Sequence, residues 1–213
     1  MKLSPGRVLV PLGVATLLSL PGDLTLYAVL PAYAPALGLG LGAVGLLLSV
    51  NRIVRLVSNP AVGLLTDCWG RRGLFLGGMA LGALATLSYA LFGRVLILFL
   101  LGRVLWGIAW SLIAVAGNCM VIDVTEASDR GHRLGLLHAF TSAGHALNPL
   151  LGGIVAGYLG FEVALAACAG LTAAGFVIAL VALPETVPAA QRRRNGPPGL
   201  WPSLAPWLIQ ARR

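Results

Sequence analysis

Four ionisable side chains stand inside otherwise apolar stretches of this chain: Asp23, Arg52, Arg55 and Arg103. A carboxylate in such a place can carry a proton. An arginine keeps its charge whatever surrounds it, so it can only steer a partner's proton or attract an anion. A charge near the middle of a bilayer costs about 2.5 to 3.5 kcal/mol on insertion scales, so each must face a cavity or a partner. Thr16, Ser19, Asp23 and Tyr27 recur at steps of three and four, which puts them on one helix stripe, and Arg52, Arg55 and Asn59 make a second. An Asp23 to Arg52 ion pair is within reach, and Asn51 joins the same proton-coupling and cavity set. Two readings of Asp23 stand: a carboxylate alternately protonated and ionised in a gated cavity, or a permanent counter-ion that lets Arg52 enter the membrane. His138, Thr141, His145 and Asn148 share a helix face further on, where each histidine is either a proton carrier or an interhelical hydrogen-bond donor. Without an Asp or Cys cluster or a His-Glu-x-x-His pattern beside them, neither a metal site nor a cofactor is expected.

The elements that must hold these groups follow from composition. With 58% hydrophobic and 10% charged residues and a mean hydropathy of +0.89, the chain is too apolar for a soluble domain of 213 residues. Six spans are predicted: Val8 to Leu30, Val44 to Thr66, Leu74 to Phe92, Val95 to Ile122, Leu134 to Leu159 and Val163 to Leu183. Backbone polar groups in hydrocarbon must be satisfied within the segment, so the spans are helices and the fold class is all-α. The formal charge of +8 does not indicate a nucleic-acid partner, because the basic residues lie between apolar segments rather than on one folded surface. Eleven of the fifteen basic residues fall on one side of the predicted topology, with Arg94 alone opposite, so both termini are expected to be cytoplasmic. The first apolar run outlasts a signal-peptide core and lacks a small-residue cleavage site, so it reads as a span. Cys68, Cys119 and Cys168 are scattered and odd in number, and reduced thiols are expected.

Between the second and third spans, Gly63-x-x-x-Asp67-x-x-Gly70-Arg71-Arg72 resembles the signature that the major facilitator superfamily carries at that place. Arg103-x-x-x-Gly107 in the fourth span resembles that superfamily's fourth-helix signature. Gly135, Gly144, Asn148-Pro149 and Gly152-Gly153 fall at the spacing of its fifth-helix motif, associated with antiporters. With Leu183-Pro184-Glu185-Thr186 closing the sixth span, the resemblance covers residues 8 to 186. Cys68 departs from the pattern where a basic residue is usual, Trp106 where a glutamine is frequent, and Asn148 where a glycine precedes the proline.

The resemblance implies a six-helix bundle over 1–186, one of the two pseudo-symmetric halves of such a transporter, with 187–213 as a basic, Pro/Gly-rich cytoplasmic tail or truncated linker. It implies alternating access in a plasma-membrane (inner-membrane) protein of several spans, with the lipid bilayer, protons and a small-molecule substrate as partners. A second six-helix half or a copy of this chain is the further expected partner. The same resemblance makes Gly63, Asp67, Gly70, Arg71, Arg72 and Asp123 a conformational latch at the cytoplasmic face. There Asp67 would accept from helix N-terminal amides and Asp123 would pair with Arg71 or Arg72; topology determinants in a solvated turn are the plainer alternative for the arginines. Pro149 removes a backbone hydrogen bond and is expected to kink the fifth span, with Gly144, Asn148, Gly152 and Gly153 allowing close packing. Trp106 and Trp110 either line an apolar pocket or pack, Gly78/Gly82 and Gly153/Gly157 are small-residue faces, and Trp201 and Trp207 suit a tail at the interface. The leading expectation is proton-coupled export of small molecules rather than enzymatic activity. The alternatives are a half that works only when paired, an uptake symporter drawing anions to Arg52 and Arg55, and an intramembrane hydrolase using Ser142 and His145.

Overall fold

A chain of long apolar runs broken by Gly, Pro and charged clusters folds as a stack of long helices. The structure, a computed structural model, describes residues 4–187, apart from the side chain of Asp67. Lys2, Arg192, Arg193, Arg194, Trp201, Trp207, Arg212 and Arg213, and with them the proposed tail, lie outside the described residues. Seven helices follow in order: α1 (Pro5–Ser19), α2 (Pro21–Tyr33), α3 (Leu41–Trp69), α4 (Arg71–Phe92), α5 (Leu96–Val124), α6 (Arg130–Leu159) and α7 (Phe161–Ala182). The described residues contain no strand.

The first expected span is therefore two helices in one continuous path across the membrane, Pro5–Tyr33. Pro21 has no N–H to donate to the carbonyl of Leu17, which instead receives the amide of Leu20 at 3.4 Å. Helical bonding resumes with the amide of Leu24 on the carbonyl of Leu20 at 3.1 Å, and Asp23 falls in the first turn after this break. The other spans begin or end a few residues beyond or short of the apolar runs. Among the described residues five segments are long and apolar enough to cross a membrane: Pro5–Tyr33, Leu41–Thr66, Arg71–Phe92, Leu96–Val124 and Phe161–Ala182. The expected fifth span is the helix α6, whose 30 residues at about 1.5 Å per residue are also long enough. Its polar face of His138, Thr141, His145 and Asn148 lowers its hydropathy. It runs through Pro149 without interruption.

In the packing, α5 lies against α3 and α4, α4 against α7, and α6 against α2 and α1. Two apolar clusters stack along the bundle. One, built on Val8, Leu12, Phe75, Met120, Leu137 and Leu183, sits at the end where α1 starts and α7 finishes, here called the proximal end. The other, with Leu30, Leu47, Phe99, Trp106 and Phe161, sits at the distal end. Trp106 is fully buried in the distal cluster, so packing, not lipid or a pocket, is its fate; Trp110 instead lines a cavity and packs against both clusters. The reversals between α3 and α4 and between α6 and α7 turn on single glycines, Gly70 (φ +93°, ψ +159°) and Gly160 (φ +91°, ψ +164°), a backbone region open essentially to glycine alone.

Candidate functional site

The centre of the bundle is a buried ion pair. Asp23 presents Oδ1 to Nη1 of Arg103 on α5 at 2.5 Å, and the arginine side chain is completely buried. The same oxygen accepts Nδ2 of Asn51 on α3 at 3.1 Å. Arg103 also donates from Nε to the carbonyl of Leu47 at 2.8 Å and from Nη2 to the hydroxyl of Tyr27 at 3.3 Å. Its guanidinium lies over the rings of Tyr27 and Tyr89, 5.3 and 5.8 Å from their centroids. Burying two ions costs several kcal/mol each, and such a pair holds only where charge-assisted hydrogen bonds fill the remaining positions. Leu47, Tyr27 and Asn51 supply them. α3 gets close enough because α5 carries Gly107 at the crossing, where a Cβ would sit 2.9 Å from the carbonyl oxygen of Asn51.

The expected Asp23 to Arg52 pair does not form. Arg52 is exposed and donates from Nε to the hydroxyl of Tyr27 at 3.3 Å, while its neighbour Asn51 is the α3 residue that turns inward. One residue is about 100° around a helix, so the two side chains diverge and Arg103, arriving from α5, takes the carboxylate. The hydroxyl of Tyr27 donates to the carbonyl of Leu48 at 2.7 Å and accepts from both arginines, which uses its full bonding capacity. Sequence alone did not bring out Tyr89 or the carbonyl of Leu47, since neither a lone tyrosine nor a backbone oxygen signals its partner.

Beside the pair opens a cavity of about 570 Å³ lined by Leu20, Asp23, Leu24, Tyr27, Arg52, Arg55, Trp110 and His145. Arg55 donates from Nε to the carbonyl of Asn51 at 3.3 Å and lies 6.0 Å from the Trp110 ring centroid. His145 is exposed, with Nδ1 2.8 Å from the carbonyl of Thr141. Among the described residues no hydrogen bond joins it to Ser142, so the serine–histidine arrangement a hydrolase needs is not assembled. His138 is separate from the central cavity, on a small space of about 50 Å³ shared with Thr16 and Trp110. On α6, Gly144 packs against Leu20, and Gly152 is the close-contact glycine of its pair, facing Thr25, whose hydroxyl donates to the carbonyl of Asn148 at 3.3 Å. Gly153 and Gly157 face open space, contrary to the small-residue packing expected of them.

At the proximal end the charged turn meets the ends of two other helices, α5 and α7. Arg71 Nε lies 3.3 Å from Oδ2 of Asp123, which also accepts the hydroxyl of Thr186 at 2.8 Å. Arg71 Nη1 caps the carbonyl of Thr66 at the end of α3, and Arg72 Nη2 the carbonyl of Leu180 near the end of α7, at 2.7 Å. Cations there complement the negative ends of helix dipoles. The α4 N-terminal amide of Arg71 is taken by Glu185 Oε1 at 3.1 Å, which also receives the amides of Thr186 and Val187. The acceptor role expected of Asp67 falls on a side chain outside the described residues. Glu185 was visible as the close of the sixth span, yet nothing local ties it to a turn 114 residues earlier. A Cβ at Gly63 would meet nothing within 4 Å, and its carbonyl accepts the hydroxyl of Thr66 at 2.6 Å.

A bundle of long apolar helices with a buried ion pair beside a cavity is the build of a multi-pass membrane protein. Residues 12–213 match the model of the Major Facilitator Superfamily, and the chain belongs to that family of membrane transporters. It is similar to multidrug resistance protein 2 of Bacillus subtilis (28% identity over 130 residues, 61% of this chain and 32% of that protein). It is also similar to the class C tetracycline resistance protein of Escherichia coli (34% over 113 residues, 52% and 28%) and to the class E protein (32% over 144 residues, 67% and 34%). The crystal structure of the human organic anion transporter MFSD10 (TETRAN) superposes with a TM-score of 0.75 at 22% identity, covering 88% of this chain and 50% of that one, which is a likeness of fold. The chain thus aligns with about a third of the length of these curated relatives.

Proposed function

We propose that the chain forms one leaf of a proton-coupled exporter of small molecules that works by alternating access. The observation that carries this reading is the Asp23 to Arg103 pair at the edge of the cavity. Protonation of Asp23 would remove one charge and leave a buried guanidinium uncompensated, a large enough change to bias a two-state bundle. Substrate and proton would then compete for the same ionised state. The names of the similar multidrug and tetracycline resistance proteins support export over uptake. The Arg71, Asp123, Thr186 and Glu185 cluster, with Asp67, would serve as the latch, and the α6 face around Gly144, Asn148, Pro149 and Gly152 as the moving contact between leaves. The excess of basic residues at the proximal end supports a plasma-membrane protein with that end in the cytoplasm. Cys68 should then be protected from a membrane-impermeant maleimide in intact cells.

Arg52, His138 and His145 are exposed, which is costly against lipid and favours a covering partner: a second six-helix bundle, in the same polypeptide or another, or a second copy of this chain. The test is the chain reconstituted in liposomes under an imposed proton gradient, with a panel of small molecules that includes tetracycline, and with its oligomeric mass measured. Gradient-driven flux should fall at least roughly 100-fold in Asp23→Asn, the loss of about 3 kcal/mol or more expected for an uncompensated buried charge. Flux indifferent to that substitution refutes the coupling role, and strong flux from a proven monomer refutes the need for a partner.

A further inference from the structure

The central cavity has a charge imbalance that the ion pair does not absorb. Among the described residues Asp23 is the one carboxylate in its lining, and the buried Arg103 already neutralises it. Arg52 and Arg55 remain, one helical turn apart on α3, and both line the space. Each commits only Nε, to the Tyr27 hydroxyl and the Asn51 carbonyl respectively. Among the described residues no carboxylate pairs with either, and their terminal amino groups have no hydrogen-bond partner. Their planes are steadied by aromatic rings, Arg52 at 5.3 Å from the Tyr27 centroid and Arg55 at 6.0 Å from that of Trp110. Two forks of free donors, one helical turn apart on the same cavity wall and each held against a ring, match the two-oxygen face of a carboxylate, sulfonate or phosphonate. Leu20, Leu24 and the face of Trp110 add an apolar wall, and about 570 Å³ suits a drug-sized molecule.

We propose that this wall selects amphipathic organic anions, with Arg52 and Arg55 holding the acidic group and Leu20, Leu24 and Trp110 the apolar body. The inference rests on the reading of the cavity as a substrate site, but it makes no use of proton coupling. Its test is therefore equilibrium binding without a gradient. The purified chain in lipid nanodiscs is titrated calorimetrically with three probes of one shape: 1-naphthoate, the neutral 1-naphthamide and the cationic 1-naphthylmethylamine. The anion should bind at least tenfold more tightly than either of the others. Arg55→Gln and Arg52→Gln should each reduce 1-naphthoate affinity about tenfold while leaving 1-naphthamide unchanged. Arg55→Lys, which keeps the charge but loses the fork, should recover only part of the affinity.

Equal affinity for the three probes in the wild-type chain overturns the proposal, and needs no variant to fold. Loss of both anion and amide binding in the glutamine variants, with unchanged thermal stability, also overturns it, since the arginines would then shape the cavity without reading charge. Carboxylates of a covering bundle seated on both arginines would abolish the anion preference and count against it equally. Failure of proton-driven flux with the anion preference intact would strike the exporter reading and leave this one standing.

Discussion

Replacing Asp23 by asparagine is the sharpest probe of the bundle's centre, because the amide is nearly isosteric with the protonated acid. In the wild type, Arg103 has no exposed side-chain surface and faces a carboxylate 2.5 Å away. The introduced amide can still accept from Asn51, but Arg103 then stands in the interior with only neutral partners, among them the carbonyl of Leu47 and the hydroxyl of Tyr27. Removing one partner of a buried pair costs about 3 to 5 kcal/mol. At roughly 2 to 4 °C per kcal/mol for a chain of this size, the thermal midpoint in detergent should fall by about 6 to 20 °C. Adding Arg103→Met removes the stranded charge, and replacing a buried pair by apolar groups is often close to neutral. The double variant should therefore be more stable than Asp23→Asn alone, short of wild type because the acceptors at Leu47 and Tyr27 lose their donor. Differential scanning fluorimetry on the four proteins of this cycle measures the coupling. A midpoint for Asp23→Asn within about 2 °C of wild type, less than roughly 1 kcal/mol, or additive losses in the double variant, would refute the account of a low-dielectric, mutually dependent pair.

Gly152→Ala should cost about 1 to 3 kcal/mol, because its Cβ runs into Thr25, whereas Gly153→Ala meets nothing and should gain up to about 1 kcal/mol of helix propensity; denaturation midpoints separate the two. Gly70→Ala forces a side chain into a region reserved for glycine and should destabilise by about 1 to 3 kcal/mol, read by the same assay. Arg94→Ala breaks a distal pair with Glu162 whose side chains are 77% and 59% exposed, and should change stability by less than about 1 kcal/mol.

The spans were legible because the bilayer demands about 20 apolar residues per crossing, a local property of composition; the first was read as one helix, and its break at Pro21, where an N–H is missing, emerged only in the structure. The charged turn was legible for a similar reason: Gly70 and the arginines sit where two helices must end. The sequence by itself thus determined the class, the order of helices and the shortlist of charged residues. Which of them meet was decided only in the tertiary structure. Arg52 and Arg103 both compete for Asp23, and helix rotation settles the choice by turning Asn51 inward and Arg52 outward. Glu185 reaches the start of α4 only after α7 has returned to the same end, and Trp106 and Trp110, one turn apart, part into core and cavity according to what α5 faces on each side. Pairing at a distance depends on the relative rotation and spacing of whole helices, quantities that no run of residues encodes locally.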